Sequence, residues 1–552
     1  MGRAIRWQAI IAFLGILLLA AVLASRAPQF TSVTVAAPGG VYQEAVVGIP
    51  QAINPLLGFT NQLDRDLSEL IFQGLVRLDQ RGELQPALAE RWEIDPTQTV
   101  YVFHLRRDVR WHDGAPFTAA DVLYTVGVLQ SDEFADPSFP APSFLAELWR
   151  NVEATQLDDY TVQFRLKEPY APFLYENTLG ILPAHLWEKV PVAEMPRSLL
   201  NLQPVGTGPW RVARLDAEKL RLEPNPTFDG PKPYLEAVEF VFHPDYASAL
   251  AAFLTDRTDG VSQVLGQDLR TVAARPDVRL LSAPLAGETF LYFNLTNPNA
   301  PFFADKRVRQ ALWLALDQQA LIDRALAGQG VPAYGPIMQG TWAYAAPPRP
   351  APNRQQAAQM LAEAGWVDTD GDGVRDQGGK PLAFVAVGDH EGLLSALAEQ
   401  WAPLGVAVKP QVVNIISLAA DYLSPRTFEA ALVHWQLSGD PDPYPLWHST
   451  QIENGQNYTG WDHVRADEVL EQGRSTVDPG QRFRLYEEFQ QIFAEELPAL
   501  PLYFDVYTFA VNEKVKAAQV GRLNTPADRL LTLPQWYMVT QEVVRPADGE
   551  QP

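Results

Sequence analysis

The segment 434–448, HWQLSGDPDPYPLWH, places carboxylates beside aromatic rings in a stretch that cannot be regular. Three prolines within five residues can continue neither a helix nor a central strand. Asp440, Asp442, Tyr444 and Trp447 are therefore predicted to stand on a stiff loop after an apolar strand. Carboxylates beside aromatic faces can bind an amine-bearing cation. A solvated proline-rich turn and a pair of glycosidase carboxylates are the other interpretations.

A second acidic loop has the spacing of a calcium site. Asp368, Asp370, Asp372 and Asp376 match positions one, three, five and nine of a calcium loop. Position twelve is Gly379, where a bidentate Glu is needed. The Asp-Gly pairs are also ordinary turn chemistry before a strand. We expect a hairpin turn and no metal or cofactor, with calcium as the alternative.

Catalytic signatures are missing from the sequence. It contains no phosphate-binding P-loop, no complete dinucleotide fingerprint, no G-x-S-x-G elbow and no zinc-protease helix motif. The eight histidines include no pair at i, i+4 spacing that a helix could offer to a metal. We therefore expect no catalytic residues and a protein that is not an enzyme.

Composition restricts the class of protein. The 552 residues are too many for one ordinary core, and 47% apolar with 20% charged residues indicates packed globular domains. A net charge of −23 repels phosphate backbones and argues against nucleic acid as a partner. The absence of cysteine excludes disulfides, thiol nucleophiles and the lipidated Cys of a lipoprotein.

The N-terminal segment 1–25 has the features of an export signal. Arg3 and Arg6 precede an uncharged apolar run, and Ala24 is a suitable small residue before a cleavage site. We predict either a cleaved signal peptide or a retained membrane anchor. In both cases the positive charges stay inside and the rest of the chain lies outside the cytoplasm. Residues 26–39 are predicted to form a linker.

Both strands and helices are predicted along the chain, and they must position the two acidic loops at 368–376 and 434–448. Alternating apolar residues predict strands at 161–166 and around Phe240, and Asp478-Pro479 predicts a helix start. Further capping signals place helix starts at Thr118, Asp305 and Asn353 and helix ends at Gly328 and Gly365. The fold class is therefore α/β or mixed α+β.

Several motifs resemble one known family. LAERWEIDPTQTVYVFHLRRDVRWHDGAPFTAADVLYT at 88–125 carries the strongest likeness, followed by VGTGPWRV at 205–212 and the segment 291–322. INPLL at 53–57 and RLYEEFQQIFAEELPALPLY at 484–503 complete the set in order. Together they resemble the family 5 extracellular solute-binding proteins of bacterial ABC importers, the group that contains oligopeptide- and dipeptide-binding proteins.

The resemblance implies a two-lobed, periplasmic-binding-protein-like clamp with an additional inserted subdomain. Lobe one would be assembled from 40–72, 200–292 and 505–545, with 73–199 as the insert, and lobe two would be 293–504. Connections between the lobes are expected near 290–294 and 503–507. The W-H-D-G stretch of the insert is expected to be structural, so His112 and Asp113 are not proposed as catalytic.

The resemblance also implies ligand contacts. Peptide binders of the family use the loop after N-P-L and the loop after the Trp at 435, and they hold the peptide amino group with an Asp. Ser438 stands at that position here and the loop is one residue short, so Asp440 is expected to take the role. The expected ligand-binding residues are Phe59, Thr60, Asn61, Trp342, Tyr344, Trp435, Gln436, Ser438 and Asp440.

The function that the resemblance implies is that of a monomeric extracytoplasmic receptor. It would close around a short peptide and deliver it to membrane permease subunits of an ABC importer. An oligosaccharide or a metal chelate as the cargo, a tethered sensor, and a secreted glycoside hydrolase using Asp440 or Asp442 are the alternatives.

Overall fold

A computed structural model describes residues 7–8, 12–18, 30–347, 349–437 and 439–546. Residues 12–18 are helical, and the remainder of the predicted export signal lies almost wholly outside these ranges, as does Ser438. Within the described ranges, no helix is both long enough and apolar enough to span a bilayer.

The strands, β1 to β21 in chain order, are Phe30–Ala37, Val41–Val47, Val76–Leu78, Leu84–Pro86, Ala89–Ile94, Val100–Leu105, Glu153–Asp158, Thr161–Arg165, Trp210–Leu215, Lys219–Pro224, Ala237–His243, Gly260–Val261, Val278–Phe293, Gly330–Pro332, Asp376–Gln377, Lys380–Pro381, Ala383–Gly388, Ala407–Val412, Ala430–Gln436, Ala499–Asn512 and Val539–Pro546. The mixture with helices confirms the expected α/β class.

The α-helices that follow residue 30, α1 to α17, are Gln62–Ile71, Ala119–Leu129, Asp132–Ala135, Ser143–Trp149, Phe173–Glu176, Ala184–Trp187, Tyr246–Leu254, Leu269–Ala273, Lys306–Ala315, Gln318–Leu326, Arg354–Glu363, Glu391–Trp401, Ile415–Ser417, Tyr444–Trp447, Gln451–Asn454, Val464–Ser475 and Pro479–Glu496. Short 3₁₀ turns join several of them, among them Pro526–Leu530.

One large mixed sheet runs through the molecule in the order β18-β17-β19-β13-β20-β12-β2-β11-β10-β9, with β14 also paired to β20. The pairs β17–β18, β17–β19, β2–β11 and β2–β12 are parallel, which is typical of strands covered by helices. The long strands β13 and β20 pair antiparallel at its centre.

A separate four-stranded sheet, β5-β6-β8-β7, belongs to the segment expected to be the insert. Tyr101 and Phe103 on β6 and Val162 and Phe164 on β8 are fully buried, whereas their strand neighbours are more exposed. This alternation confirms the strand predicted at 161–166, because every second side chain of a strand faces the same side.

Most of the predicted helix starts are confirmed by capping contacts. Thr118 and Asp121 form a capping box, and the carboxylate of Asp478 accepts a hydrogen bond from the Gln481 N–H at 2.8 Å. Asn353 caps the helix Arg354–Glu363, which ends just before Gly365 with φ at +92°. These signals succeed because a cap is a contact within four residues.

Two expectations are wrong. The helix from Asp305 ends at Ala315 rather than Gly328, because Leu316 is extended and Asp317 caps a second helix, Gln318–Leu326. The predicted linker is also largely a strand, since Phe30–Ala37 pairs antiparallel with Val539–Pro546. The partner strand, β21, lies about five hundred residues away in sequence, so no local sequence pattern could predict the pairing.

Candidate ligand-binding cleft

Two long strands connect the two halves of the large sheet. Ala283 on β13 and Phe509 on β20 pack in the core that also holds the insert, whereas Leu291 and Leu500 pack in a second core. The register between the strands breaks twice, between Pro284 and Glu288 and between Thr289 and Phe290. Such bulges bend and twist a ladder locally. The crossing therefore has the form of a hinge between two packed bodies.

The two bodies also contact each other directly, away from these two strands. The indole N–H of Trp342 donates to the Tyr175 hydroxyl at 3.2 Å, and the Ala171 N–H donates to the Arg474 carbonyl at 2.8 Å. The Val477 N–H donates to the Gln98 side chain at 2.7 Å. The clamp is therefore shut in this structure.

The loop after β19 corrects the role expected for Asp440. Both of its carboxylate oxygens accept hydrogen bonds from Arg482, each at 2.8 Å, and both side chains are almost fully buried. The neighbouring Asp442 pairs with Arg474 at 2.7 Å. A carboxylate that is already neutralised by a bidentate arginine is poorly placed to receive a ligand ammonium. These two pairs instead fasten the loop to α16 and α17.

Trp435 and Gln436 lie where the loop leaves β19. Trp435 is half-buried, stacks on Tyr458 with ring centroids 6.0 Å apart, and donates its indole N–H to Tyr292 at 2.7 Å. Gln436 donates to the Ala286 carbonyl at 2.7 Å and to the Asn524 carbonyl at 3.0 Å. Both therefore lie beside the strand crossing.

Trp342 and Tyr344 lie on the same wall as the Asp440 pair. The Arg482 guanidinium stands 5.0 Å from the ring centroid of Trp342, which also packs near Tyr486. Tyr344 packs with Ile337 in the same small apolar cluster, and burial raises its pKa. The structure therefore brings Trp342, Tyr344 and Asp440 together.

The predicted contacts at 59–61 lie at the start of α1. Phe59 packs against the first core, and its carbonyl accepts from Arg65. Asn61 caps α1 by accepting from the Leu63 N–H at 3.0 Å and donates to the Ile49 carbonyl at 3.0 Å. Thr60 lies in the short turn before it. Asn61 also lines a crevice of about 540 Å³ that reaches Pro140 and Pro196 of the insert.

Sequence reasoning missed an acidic wall beyond this turn, formed by Glu69 and Asp528. Glu69 on α1 is exposed by its solvent-accessible surface. Protein nevertheless crowds it so closely that burial raises its pKa to about 7, with Asp528 adding to the rise and Arg65 opposing it. Burial also raises the pKa of Asp528, whose carboxylate accepts from the Asn524 N–H. This combination is typical of groups that line a deep cleft.

The acidic wall is connected to Gln436, one of the predicted ligand-binding residues, through the segment 524–528. Gln436 binds the Asn524 carbonyl, while the Asn524 N–H binds Asp528, which lies close enough to Glu69 to raise its pKa. The only sequence signal for Glu69 was its position three residues after another acid, Asp66, on α1. Asp66 itself is the buried ion-pair partner of Arg529, at 2.7 Å. That pair fixes the helix that carries Glu69.

The W-H-D-G stretch is structural, as expected. His112 accepts from the Gly206 N–H at 3.2 Å, and its other ring nitrogen lies 3.1 Å from the Gly208 carbonyl. Burial lowers the pKa of His112 to about 4, so the ring is neutral. The motifs at 88–125 and 205–212 therefore hold each other across the junction of the insert with the first core.

The acidic loop forms turns that satisfy its carboxylates from the backbone. Asp368 accepts from the N–H groups of Gly371 and Gly373, and Asp376 accepts from Thr369. One carboxylate oxygen from each of Asp368, Asp370 and Asp376 lies within 4.8 Å of the others, whereas Asp372 is not in this group. Val367 and Asp376 form an antiparallel bridge across this loop, and a second short hairpin, β15 and β16, follows it.

Two packed bodies joined by two bulged strands define the class of protein: a two-lobed clamp. The profile of bacterial extracellular solute-binding proteins, family 5 Middle, matches residues 83–457. The chain therefore belongs to this family of solute-binding proteins.

Relatives and solved structures agree with this assignment. The oligopeptide-binding protein AppA of Bacillus subtilis is 29% identical over 91% of this chain and 92% of its own length. The dipeptide-binding protein of Escherichia coli is 26% identical over 86% and 91%. The structure of AppA from Bacillus subtilis in complex with a nonapeptide superposes with a TM-score of 0.67 and 27% identity, covering 92% of this chain and 100% of that one.

Proposed function

We propose that this chain is the extracytoplasmic substrate-binding component of an ABC importer for short peptides. The observation that carries the proposal is a shut, two-lobed clamp joined by two bulged strands, in a chain similar to peptide-binding proteins along most of its length. A ligand that contacts both lobes stabilises the shut form by its differential affinity for it. The shut form then docks on a membrane permease, and the protein leaves its ligand chemically unchanged.

We propose that the chain divides into two lobes at the boundaries that the family resemblance implies. Lobe one comprises 40–72, 200–292 and 505–545 with the insert 73–199, and lobe two comprises 293–504. The separate cores on either side of the β13–β20 crossing support this division. The protein acts as a monomer outside the cytoplasm, and its charge of −23 disfavours nucleic acid.

Within the cleft, we propose that Glu69 and Asp528 receive the peptide amino group. Asp440 is fully engaged by Arg482, whereas Glu69 has no hydrogen-bond or ion-pair partner among the residues that the structure describes. Trp435 and Gln436 would flank the ligand from lobe two, with Trp342 and Tyr344 further along that wall. Waters can absorb differences between peptide side chains.

A thermal-shift screen tests this function directly. Purified protein without its first 25 residues is heated with tripeptides, oligosaccharides or metal chelates. A ligand at one hundred times its dissociation constant adds about 2.7 kcal/mol of stability. Stabilisation by peptides supports the proposal. Stabilisation by a sugar or chelate alone would contradict peptide as the cargo and identify that ligand class instead. Release of reducing sugar from a polysaccharide would contradict the binding function and indicate a glycoside hydrolase.

For the loop 368–376 we propose a structural turn that needs no cation. Its carboxylates already accept backbone N–H groups, which supports that interpretation. Calcium titration after chelator treatment distinguishes the alternatives. An unchanged melting temperature supports the turn, and a rise that Asp368→Asn abolishes would assign a calcium site.

A further inference from the structure

One buried acid at the strand crossing has no assigned role. Glu288 lies on β13 between the two register breaks, opposite Trp435 of β19 and Phe504 of β20. Its exposed fraction is 0%, and neither carboxylate oxygen has a hydrogen-bond partner among the residues that the structure describes. Buried polar groups are almost always paired, so an unpaired carboxyl needs an explanation.

The titratable groups on the side of Glu288 are Tyr292 and Tyr458, and the Arg426 guanidinium lies beyond Tyr458, 5.4 Å from its ring centroid. Phe290 and Tyr292 follow on the same face of β13, and Trp435 donates to the Tyr292 hydroxyl. Burial raises the pKa of Tyr292 well above its usual range, so this neighbour stays neutral. Trp435 and Phe504, from the adjacent strands, carry no charge. Among the described residues, no charged group therefore contacts Glu288 to stabilise its ionised form.

The charged groups at the crossing lie on the opposite face. Thr289 contacts the His434 ring nitrogen at 3.2 Å, and His434 lies 3.5 Å from Asp505. A side chain built on Gly287 would meet both groups. Because successive residues of a strand face opposite sides, Gly287 and Thr289 face this pair and Glu288 faces away from it.

A carboxyl in this environment is held as the neutral acid. An ionised carboxylate without a partner is strongly disfavoured in an apolar interior. Burial accordingly raises the pKa of Glu288 well above its usual range. The shut clamp therefore holds a proton that a solvated glutamate, with a pKa of about 4.3, would release near neutral pH.

We propose that Glu288 links clamp closure to uptake of one proton. The inference rests on the hinge motion of the proposed function. Opening at the bulged crossing admits water to Glu288, which releases its proton to solvent, and closing takes a proton back from solvent. The shut form is thus favoured at low pH, and this advantage is lost as the pH rises toward the raised pKa of the shut state. The ratio of shut to open molecules should fall up to tenfold per pH unit.

Fluorescence energy transfer measures that ratio in the full-length chain. The protein contains no cysteine, so Glu218→Cys in lobe one and Lys409→Cys in lobe two, both exposed, accept a dye pair specifically. The shut fraction is measured from pH 5 to 8, without ligand and with trialanine. The same pair is placed in Glu288→Gln, which is isosteric and neutral, and in Asp505→Asn, which alters the opposite face of the crossing.

The proposal predicts that the shut-to-open ratio of the parent, divided by that of Glu288→Gln, falls from pH 5 to 8 by up to about tenfold per pH unit. Asp505→Asn should retain the fall. An identical pH dependence in the parent and Glu288→Gln, with normal closure, overturns the proton link and leaves the binding function intact. A distance that never changes, with trialanine or without it, contradicts the clamp function itself.

Discussion

At the residue scale, the acidic side chains of the cleft divide into two kinds. Asp440 and Asp442 are neutralised by Arg482 and Arg474 and hold a loop in place. Glu69 has no such partner among the described residues, and burial raises its pKa to about 7. The sequence identified Asp440 as a carboxylate near aromatic rings. It could not show that Arg482, 42 residues later, would occupy both oxygens.

Asp440→Ala should lower the free energy of unfolding and have little direct effect on peptide binding. Removing one partner of a buried ion pair leaves Arg482 uncompensated and costs about 3–5 kcal/mol. Urea unfolding measures this loss. The double variant Asp440→Leu with Arg482→Leu is the control and should lose less, because no lone charge remains buried. An Asp440→Ala protein of full stability with greatly weakened peptide binding would restore the original interpretation.

Glu69→Gln should weaken binding of trialanine at least tenfold and leave N-acetyl-trialanine unaffected. The effect follows from losing the carboxylate that pairs with the ammonium. Because the pKa of Glu69 is raised to about 7, its charged fraction grows as pH rises through 7, and so should its contribution to binding. Calorimetry at pH 6 and 8 measures both effects. Equal losses for the two peptides would remove Glu69 from ammonium binding.

At the element scale, local signals were reliable and distant pairings were not. Caps at Thr118, Asn353 and Asp478 appear where predicted, because each is a contact within a few residues. The break at Asp317 was missed because an apolar pattern continues through it. The pairing of β1 with β21 and the acidic wall depend on segments hundreds of residues apart. Only the family resemblance supplied the two-lobed arrangement.

The junction between the insert and the first core gives a matched pair of glycine variants. A Cβ on Gly206 would overlap the Ile71 carbonyl, so Gly206→Ala should cost about 1–3 kcal/mol or more. Gly127, inside α2, has open space around it. Gly127→Ala should be neutral or stabilise by up to about 1 kcal/mol. Thermal unfolding compares them, and similar stability of both variants would contradict the close packing at this junction.

At the scale of the whole molecule, the fold separates two tasks. Two cores keep each body rigid, while β13 and β20 alone among the strands of the large sheet run from one core into the other with broken register. Shut contacts such as Trp342 to Tyr175 and Val477 to Gln98 are polar, so they can exchange for water when the clamp opens. A ligand that contacts both walls shifts this balance.

Small-angle X-ray scattering with and without a saturating tripeptide mixture tests this central claim most directly. The account predicts a smaller radius of gyration on adding peptide, a scattering profile that matches the shut structure, and peptides recovered intact by mass spectrometry. A bound peptide with an unchanged scattering profile, or a peptide recovered cleaved, would contradict it.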